Sequence, residues 1–229
     1  MASTALVTVV SGAAYVEYGR QMFLSADEFF FPTESVQQIM LDGEEGWPNA
    51  TMMRYHILSR HLPDTDYIFL IDADMVIAQR IGPEILPLGG KGFTATLHPG
   101  YIGKMSHELP HERRPESAAF VPETHRDRYY AGGFVGGSRV SMRTLCADIM
   151  GIIDRDAKRG IVPIFHDESA LNKVIAGDAK WHGWSPATVL SPAYCHPDRD
   201  DYYKMHVWGE AYERKIVALD KTAEERGER

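Results

Sequence analysis

The sequence predicts an α/β protein in which helices flank a central sheet. The most strand-like segment, Tyr67–Ile71, is apolar at every position, as expected for a strand at the centre of a parallel sheet with both faces buried. Strand-like runs also alternate with helical patterns through the first half of the chain. The 229 residues are 44% hydrophobic and 24% charged, which suits one compact domain. We therefore expect a single domain over residues 1–219 and a mobile, charged tail over 220–229.

The elements of the first half can be placed by hydrophobic periodicity and by breakers. The run at Leu6–Val10 is β-branched and stops at Ser11-Gly12, so it predicts a buried strand ending at the carboxyl edge of the sheet. Pro32 marks the end of the first helical pattern, and Pro63 follows the second. In chain order we expect a strand at Leu6–Val10, a helix at Tyr15–Phe31, a strand at Val36–Leu41, a helix around Met52–Leu58 and a strand at Tyr67–Ile71.

The second half is less regular. Helical patterns are expected at about Arg143–Asp156 and at Ser169–Ile175. The segment Tyr129–Ser138 contains four glycines among aromatic residues. Such glycines either allow the backbone to approach a ligand closely or form tight turns, and the pattern alone favours neither interpretation.

Charge and composition exclude several classes of function. A formal net charge of −8 and a pI near 5.7 disfavour nucleic acid and anionic membrane surfaces as partners. The opening segment has no basic residue before Arg20, and no stretch approaches the roughly 18 apolar residues that span a bilayer. We expect a soluble cytoplasmic protein. Cys146 and Cys195 match neither a zinc nor a redox spacing and are expected to be reduced packing residues.

Two carboxylates follow the most strand-like segment directly. Asp72 and Asp74 are one residue apart, so they point to the same side of an extended backbone and can share one cation. Oxygen ligands favour Mn²⁺, with Mg²⁺ as the other candidate, and such an ion would neutralise a diphosphate. The alternative is an ordinary surface Asp-x-Asp. The position after a buried strand favours the cation, because close acids repel unless they are compensated.

A second acidic cluster lies at His166-Asp167-Glu168-Ser169, ahead of a predicted helix. Acidic and hydroxyl side chains at a helix start often serve only as caps and dipole partners. By spacing alone that interpretation of Asp167 and Ser169 is favoured over a catalytic one.

Several further motifs accompany these two clusters. In chain order the series is Gly46-Trp47-Pro48 with Met52-Met53-Arg54, Asp72-Ala73-Asp74, His98-Pro99-Gly100-Tyr101, Glu112-Arg113-Arg114-Pro115, Tyr129–Gly137, His166–Ser169 with Leu171-Asn172-Lys173, and Leu190-Ser191-Pro192-Ala193-Tyr194. Taken together, these motifs resemble those of the family-6 glycosyltransferases, which include the histo-blood-group A and B transferases and the α-1,3-galactosyltransferases. The resemblance covers roughly residues 5 to 221.

The resemblance implies a GT-A fold, a Rossmann-like mixed sheet flanked by helices, together with a UDP-sugar donor, an oligosaccharide acceptor, a divalent cation and a retained α-1,3 linkage. By position, Glu168 would stand beneath the anomeric carbon. The metal site would be Asp72 and Asp74, with Asp72 also at the ribose. The implied donor contacts are Val10 and Tyr15 at the uracil, Arg54 and Asp167 at the sugar hydroxyls, Ala131, Gly132 and Gly133 at the sugar 2-position, and Lys221 at the diphosphate. The implied acceptor contacts are His98 and Phe165.

The resemblance also implies a donor preference, because Ala131, Gly132 and Gly133 leave open volume where galactose-specific family members have bulkier side chains. An N-acetyl group should fit there, so we expect UDP-N-acetylgalactosamine to be preferred over UDP-galactose.

The chain also departs from the family pattern. Ala193–Asp198 lacks the acidic residue and Trp-Asp pair usual in mammalian members, and Phe165 replaces a usual Trp. These departures leave the acceptor open and keep a UDP-sugar hydrolase as an alternative. A non-catalytic carbohydrate-binding protein is the second alternative, although it would not need Asp72, Asp74, Arg54, Asp167 and Glu168 together. The sequence gives no expectation for the oligomeric state.

Overall fold

The computed structural model describes residues 2–90, 92–176, 186–198 and 213–220. A six-stranded mixed sheet forms its centre. Its strands are β1 (Thr4–Val10), β2 (Val36–Asp42), β3 (Tyr67–Ile71), β5 (Phe93–Leu97), β6 (Tyr130–Ser138) and β7 (Thr188–Leu190). They lie in the order β2-β1-β3-β6-β5-β7. A three-stranded sheet joins β4 (Met75–Ile77), β9 (Ile216–Ala218) and β8 (His196–Pro197), with β9 in the middle. The helices are α1 (Ala13–Phe29), α2 (Asn49–Met52), α3 (Arg54–Arg60), α4 (Arg139–Ala157) and α5 (His166–Ala176).

The predicted α/β fold, with a mixed sheet between helices, is confirmed. Strand β3 lies in the middle of the six-stranded sheet, where Ile68 and Leu70 face one core and Phe69 and Ile71 face the other. The first core is formed with α3, α4 and α5, and the second with α1, β4 and β9. Burial on both faces explains why this strand is apolar at every position. Its neighbour β1 is parallel, but β6 on its other side is antiparallel, so β3 is not the centre of an all-parallel sheet.

The predicted helices are present, and their bounds differ for local reasons. Helix α1 ends at Phe29, before the predicted Phe31, because Phe30 leaves the helix and pairs with Ile81. The helix expected around Met52–Leu58 is interrupted at Met53, where ψ is −3°, so that α3 begins at Arg54. Helix α4 begins at Arg139 because the Ser138 hydroxyl caps it and accepts from the amide of Ser141 at 3.3 Å.

The glycine-rich segment is a strand and not a series of turns. Residues 130–138 form β6, which is buried along nearly its whole length between β3 and β5. A Cβ at Gly136 would collide with the ring of Phe69, and one at Gly137 would lie 2.5 Å from the carbonyl oxygen of Gly92. The glycines therefore let neighbouring strands and side chains pack closely, which corrects the turn interpretation.

Further sequence-based expectations concern the cysteines and membrane segments. Cys146 and Cys195 are both buried and carry free thiols. In the described part of the chain, no helix combines the length and the apolar character needed to cross a bilayer.

Candidate active site

The candidate site lies at the edge of the sheet where β1 and β3 end. These strands are parallel, so Val10 and Ile71 finish at the same edge, and Asp72 follows Ile71. Tyr15, in the first turn of α1, is half-buried just beyond the end of β1. Val10 is buried, and its carbonyl oxygen accepts from the amide of Gly43 at 2.7 Å. The two residues implied for the uracil are thus on the same edge as the acids.

Arg54 links the acids of this edge. Its guanidinium donates to Asp167 (Nε to Oδ2, 2.8 Å), to the Gly132 carbonyl (3.1 Å) and, through Nη1, to Asp72. The residue is only 8% exposed. Burial opposes the charge of the guanidinium, but Asp167 and Asp72 outweigh it and raise the pKa of Arg54 above its ordinary value. Arg54 is therefore a permanent, fixed cation, and Asp167 is its partner and not merely a helix cap.

An irregularity in β6 brings the backbone to Glu168. Between Ala95 and Thr96 of β5 the register shifts, so that Gly132–Phe134 bulge out of the β5 pairing. The amide of Gly132 then donates to Glu168 Oε2 at 2.7 Å. Glu168 lies in the first turn of α5, next to Asp167. The bulge therefore connects the glycine segment, the Arg54 network and Glu168 in one site.

The Glu168 carboxyl has a perturbed protonation equilibrium. Burial raises its pKa to about 7, against the opposing effects of the Gly132 amide, of the Tyr129 hydroxyl and of Arg54. Asp167 contributes to the rise because a second negative charge is adjacent. Near neutral pH this group can exist either as a carboxylate or as an acid, which is a property of catalytic groups more often than of structural ones.

Asp72 and Asp74 lie in a turn after β3, closed by the amide of Met75 donating to the Asp72 carbonyl at 3.3 Å. Both side chains are half-exposed. Within the described ranges, no group of three His, Cys, Asp or Glu side chains is arranged to hold a metal ion. Two carboxylates at an open edge fit a cation that takes its other ligands from a bound diphosphate and water. Asp72 already pairs with Arg54, so Asp74 is the better candidate for direct ligation.

The structure corrects the prediction of open volume at Gly133. A Cβ there would overlap the terminal methyl of Met75 and lie 3.3 Å from Asp72 Oδ2. A Cβ at Gly132 would lie 3.0 Å from Arg54 Nη2, and Ala131 is buried. The small residues are thus in contact with the site, but the space beside Gly133 is filled. A larger donor substituent at this point requires Met75 to move.

The two residues implied for the acceptor both pack around one tyrosine ring. The ring centroids of His98 and Phe165 lie 5.8 and 6.5 Å from that of Tyr129. Burial lowers the pKa of His98 to about 4, so the imidazole is neutral at pH 7. Its Nδ1 accepts from the Gly100 amide at 3.1 Å, which leaves Nε2 as the N–H donor. Phe165 remains 38% exposed and offers an aromatic face.

Sequence reasoning missed three contributors to the site. Tyr129 was not assigned a role, although it begins the glycine-rich segment; its ring is almost fully buried beside Glu168. Met75 and Cys195 were also missed, because only the folded chain places both against Gly133. Cys195 belongs to the segment that departs from the family pattern, so that departure lies against the glycine-rich strand at Gly133. Lys221 lies outside the described residues.

Comparison with known proteins identifies the family of the chain. The sequence model of glycosyltransferase family 6 matches residues 31–207. Similar proteins include the histo-blood group ABO system transferase 1 of Rattus norvegicus, 36% identical over 153 residues (65% of this chain and 41% of that protein). The globoside alpha-1,3-N-acetylgalactosaminyltransferase 1 of Homo sapiens is 28% identical over 221 residues (84% and 61%).

A third similar protein is the glycosyltransferase 6 domain-containing protein 1 of Mus musculus, 30% identical over 182 residues, which are 77% of this chain and 54% of that protein. The chain therefore spans about two fifths to three fifths of the length of these relatives. The mixed sheet between helices fits the GT-A type of glycosyltransferase fold. The chain belongs to glycosyltransferase family 6, which confirms the resemblance found in its sequence.

Proposed function

We propose that this chain transfers a galactose-type sugar from a UDP-sugar to a carbohydrate acceptor with retention of the anomeric configuration, in an α-1,3 linkage. The observation that carries the proposal is the network in which buried Arg54 pairs with buried Asp167 and half-exposed Asp72, joined to Glu168 through both backbone groups of Gly132. Family membership supports the same reaction class. The relative named for globoside α-1,3-N-acetylgalactosaminyl transfer supports a galactose-type donor.

The Arg54–Asp167 pair would orient the donor sugar. A guanidinium has five N–H donors, and Arg54 is fixed by three partners, so the pair presents a rigid set of donors and acceptors to sugar hydroxyls. Rigid placement of the sugar is what the reaction requires, because a small displacement of the reacting carbon lowers the rate steeply.

Glu168 would stabilise the positive charge that develops on the sugar as the bond to phosphate breaks. The Gly132 amide holds Oε2 at 2.7 Å, so the other oxygen can face the anomeric carbon. Two routes are compatible with this position. Glu168 could form a covalent adduct that the acceptor hydroxyl then displaces, or it could stabilise an ion pair while the acceptor enters from the face that the phosphate leaves.

A divalent cation, Mn²⁺ or Mg²⁺, would supply positive charge for the departing diphosphate when bound. In this chain Asp74 would be its most direct ligand, with Asp72 beside it. The amide of Leu219 donates to the Asp74 carbonyl at 2.9 Å, which brings the beginning of the charged tail next to the proposed cation ligand. That position supports Lys221 as a further partner of the diphosphate.

On the acceptor side, Phe165 would stack on a sugar ring and the Nε2–H of His98 would donate to a hydroxyl or ring oxygen. Both groups pack around Tyr129, which lies next to Glu168.

The proposal is tested by measuring UDP release from UDP-galactose, UDP-N-acetylgalactosamine and UDP-glucose, each with and without Mn²⁺ and with a panel of oligosaccharides. We expect cation-dependent release from a galactose-type donor that accelerates when a suitable oligosaccharide is added. Release that no acceptor accelerates, with free sugar as the sole product, would instead identify a hydrolase. Binding of sugars without any UDP release would identify a carbohydrate-binding protein.

A further inference from the structure

Tyr129 is an enclosed side chain whose ring is held on several sides. The residue is 2% exposed and comes immediately before β6. Four rings surround it at centroid distances of 5.1 to 6.5 Å, namely those of His111, Tyr101, His98 and Phe165. The ring is therefore fixed in place, and its hydroxyl can reach only a small region of the site.

The hydroxyl of Tyr129 is buried and, among the described residues, has no hydrogen bond of normal geometry. Buried polar groups in folded proteins are nearly always paired, so such a group needs an explanation. The carboxyl of Glu168 lies beside it. Burial and the adjacent negative charge of Glu168 both raise the pKa of Tyr129, so the phenol remains protonated and can act only as a neutral donor toward a carboxylate.

We propose that Tyr129 is a positioning residue for Glu168, donating a hydrogen bond to its carboxylate in the working enzyme and thereby holding it ionised and oriented toward the sugar. The Gly132 amide already fixes Oε2. A second donor from the phenol would fix the carboxylate plane, which one hydrogen bond alone leaves free to rotate. The catalytic task of Glu168 rests on the proposed function, but the contact between the two side chains does not.

The other groups around Glu168 leave this role to Tyr129. Arg54, from α3, favours the ionised carboxylate, whereas Asp167 on the same helix disfavours it. The thiol of Cys195 lies close enough to respond to the charge of Glu168, but burial raises its pKa, so it stays neutral. Arg54 and Asp167 are committed to each other at 2.6 Å. The phenol is a further nearby donor that is not already committed to another group.

The test is a titration of Glu168 in the full chain, without sugar or metal, read by carbon NMR of ¹³C-labelled glutamate carboxyl groups. The signal is assigned by its loss in Glu168→Gln. Tyr129→Phe removes one oxygen atom, and we expect the proton affinity of Glu168 to rise roughly tenfold, because a hydrogen bond to the charged form has been lost. Tyr130→Phe is the matched control, since its hydroxyl lies near Arg128 and Asp127 instead, and should leave Glu168 unchanged.

A second variant tests the opposite direction. Difluorotyrosine at position 129 is a stronger donor with nearly the same shape, so it should lower the proton affinity of Glu168. Thermal unfolding curves first check that both position-129 variants are folded. If the Glu168 titration is then unchanged in both variants, Tyr129 only fills space.

Activity gives an independent readout. In Tyr129→Phe, kcat should fall roughly tenfold at pH 7 with little change in KM for the donor, and the acid limb of the pH profile should move to higher pH. If no donor supports UDP release, the proposed function fails, but the NMR titration still shows whether Tyr129 donates a hydrogen bond to the Glu168 carboxylate. If release occurs but the titration is unchanged, the inference on Tyr129 fails alone.

Discussion

Replacing Glu168 with glutamine removes one charge and almost no volume. In the wild type the Gly132 amide donates to Glu168 Oε2 at 2.7 Å. A glutamine carbonyl can still accept this hydrogen bond, so the fold of the site should persist. Two unit charges about 4 Å apart interact by about 4 kcal/mol at an effective dielectric constant of about 20. Because the sugar develops only part of a charge, we expect a loss of about 2.7 kcal/mol or more, which is at least about a hundredfold in kcat.

The assay is UDP release at saturating donor, measured from about pH 6 to about pH 8.5. The ionised carboxylate is the active form and its pKa is raised to about 7, so the wild-type rate should be half-maximal near pH 7 and level off about one pH unit above it. The glutamine variant should lack this rise, so its rate of UDP release should fall furthest below that of the wild type at alkaline pH. Glu17→Gln, on the exposed surface of α1, is the control and should match the wild type. A Glu168→Gln variant that keeps its turnover number and loses only donor binding would refute the catalytic role.

Three further predictions concern the cation, the donor and the tail. Asp74→Ala should be nearly inactive, because it removes one of two carboxylates from the proposed site, and EDTA should abolish wild-type activity; full activity in EDTA would contradict this. Gly133→Ala should shift donor preference toward UDP-galactose, because its methyl competes with Met75 for the same space, and adding Met75→Ala should reverse the shift in a donor competition assay. Equal donor use in all three proteins would count against it. Truncation after Leu219 should lower turnover and raise the fraction of donor lost to water, whereas Lys221→Ala should lower turnover with less added hydrolysis. Product analysis separates these outcomes, and a truncated enzyme equal to wild type would show the tail to be dispensable.

The alternation of strands and helices could be predicted because it depends on local periodicity. Tyr67–Ile71 has the predicted bounds, since a strand buried on both faces must be apolar throughout. Strand β6 could not be predicted as a strand, because glycine has a low strand propensity. Its glycines are explained only by long-range neighbours, such as Phe69 against Gly136.

The candidate site could likewise be predicted only in part. The resemblance identified Arg54, Asp167 and Glu168 as site residues. The ion pair between Arg54 and Asp167 joins residues 113 positions apart, so it follows from the fold and not from local sequence. The spacing of Asp167 and Ser169 favoured helix caps, whereas Asp167 pairs with Arg54. Ser169 accepts from the amide of Phe165 at 2.9 Å and does serve the helix start. The contact of Met75 with Gly133 could not be predicted, because it depends on the position that β4 takes in the smaller sheet.

The anomeric configuration of the first sugar released or transferred tests the central claim most directly. A UDP-α-sugar is incubated with the enzyme and a divalent cation, with an acceptor from the panel or with water alone, and the anomeric signal is followed by NMR before the free sugar equilibrates. Retention at Glu168 predicts that the α-configuration appears first with either recipient, and that Glu168→Gln nearly abolishes it. Initial appearance of the β-configuration would contradict the assignment of Glu168 and the retaining reaction together.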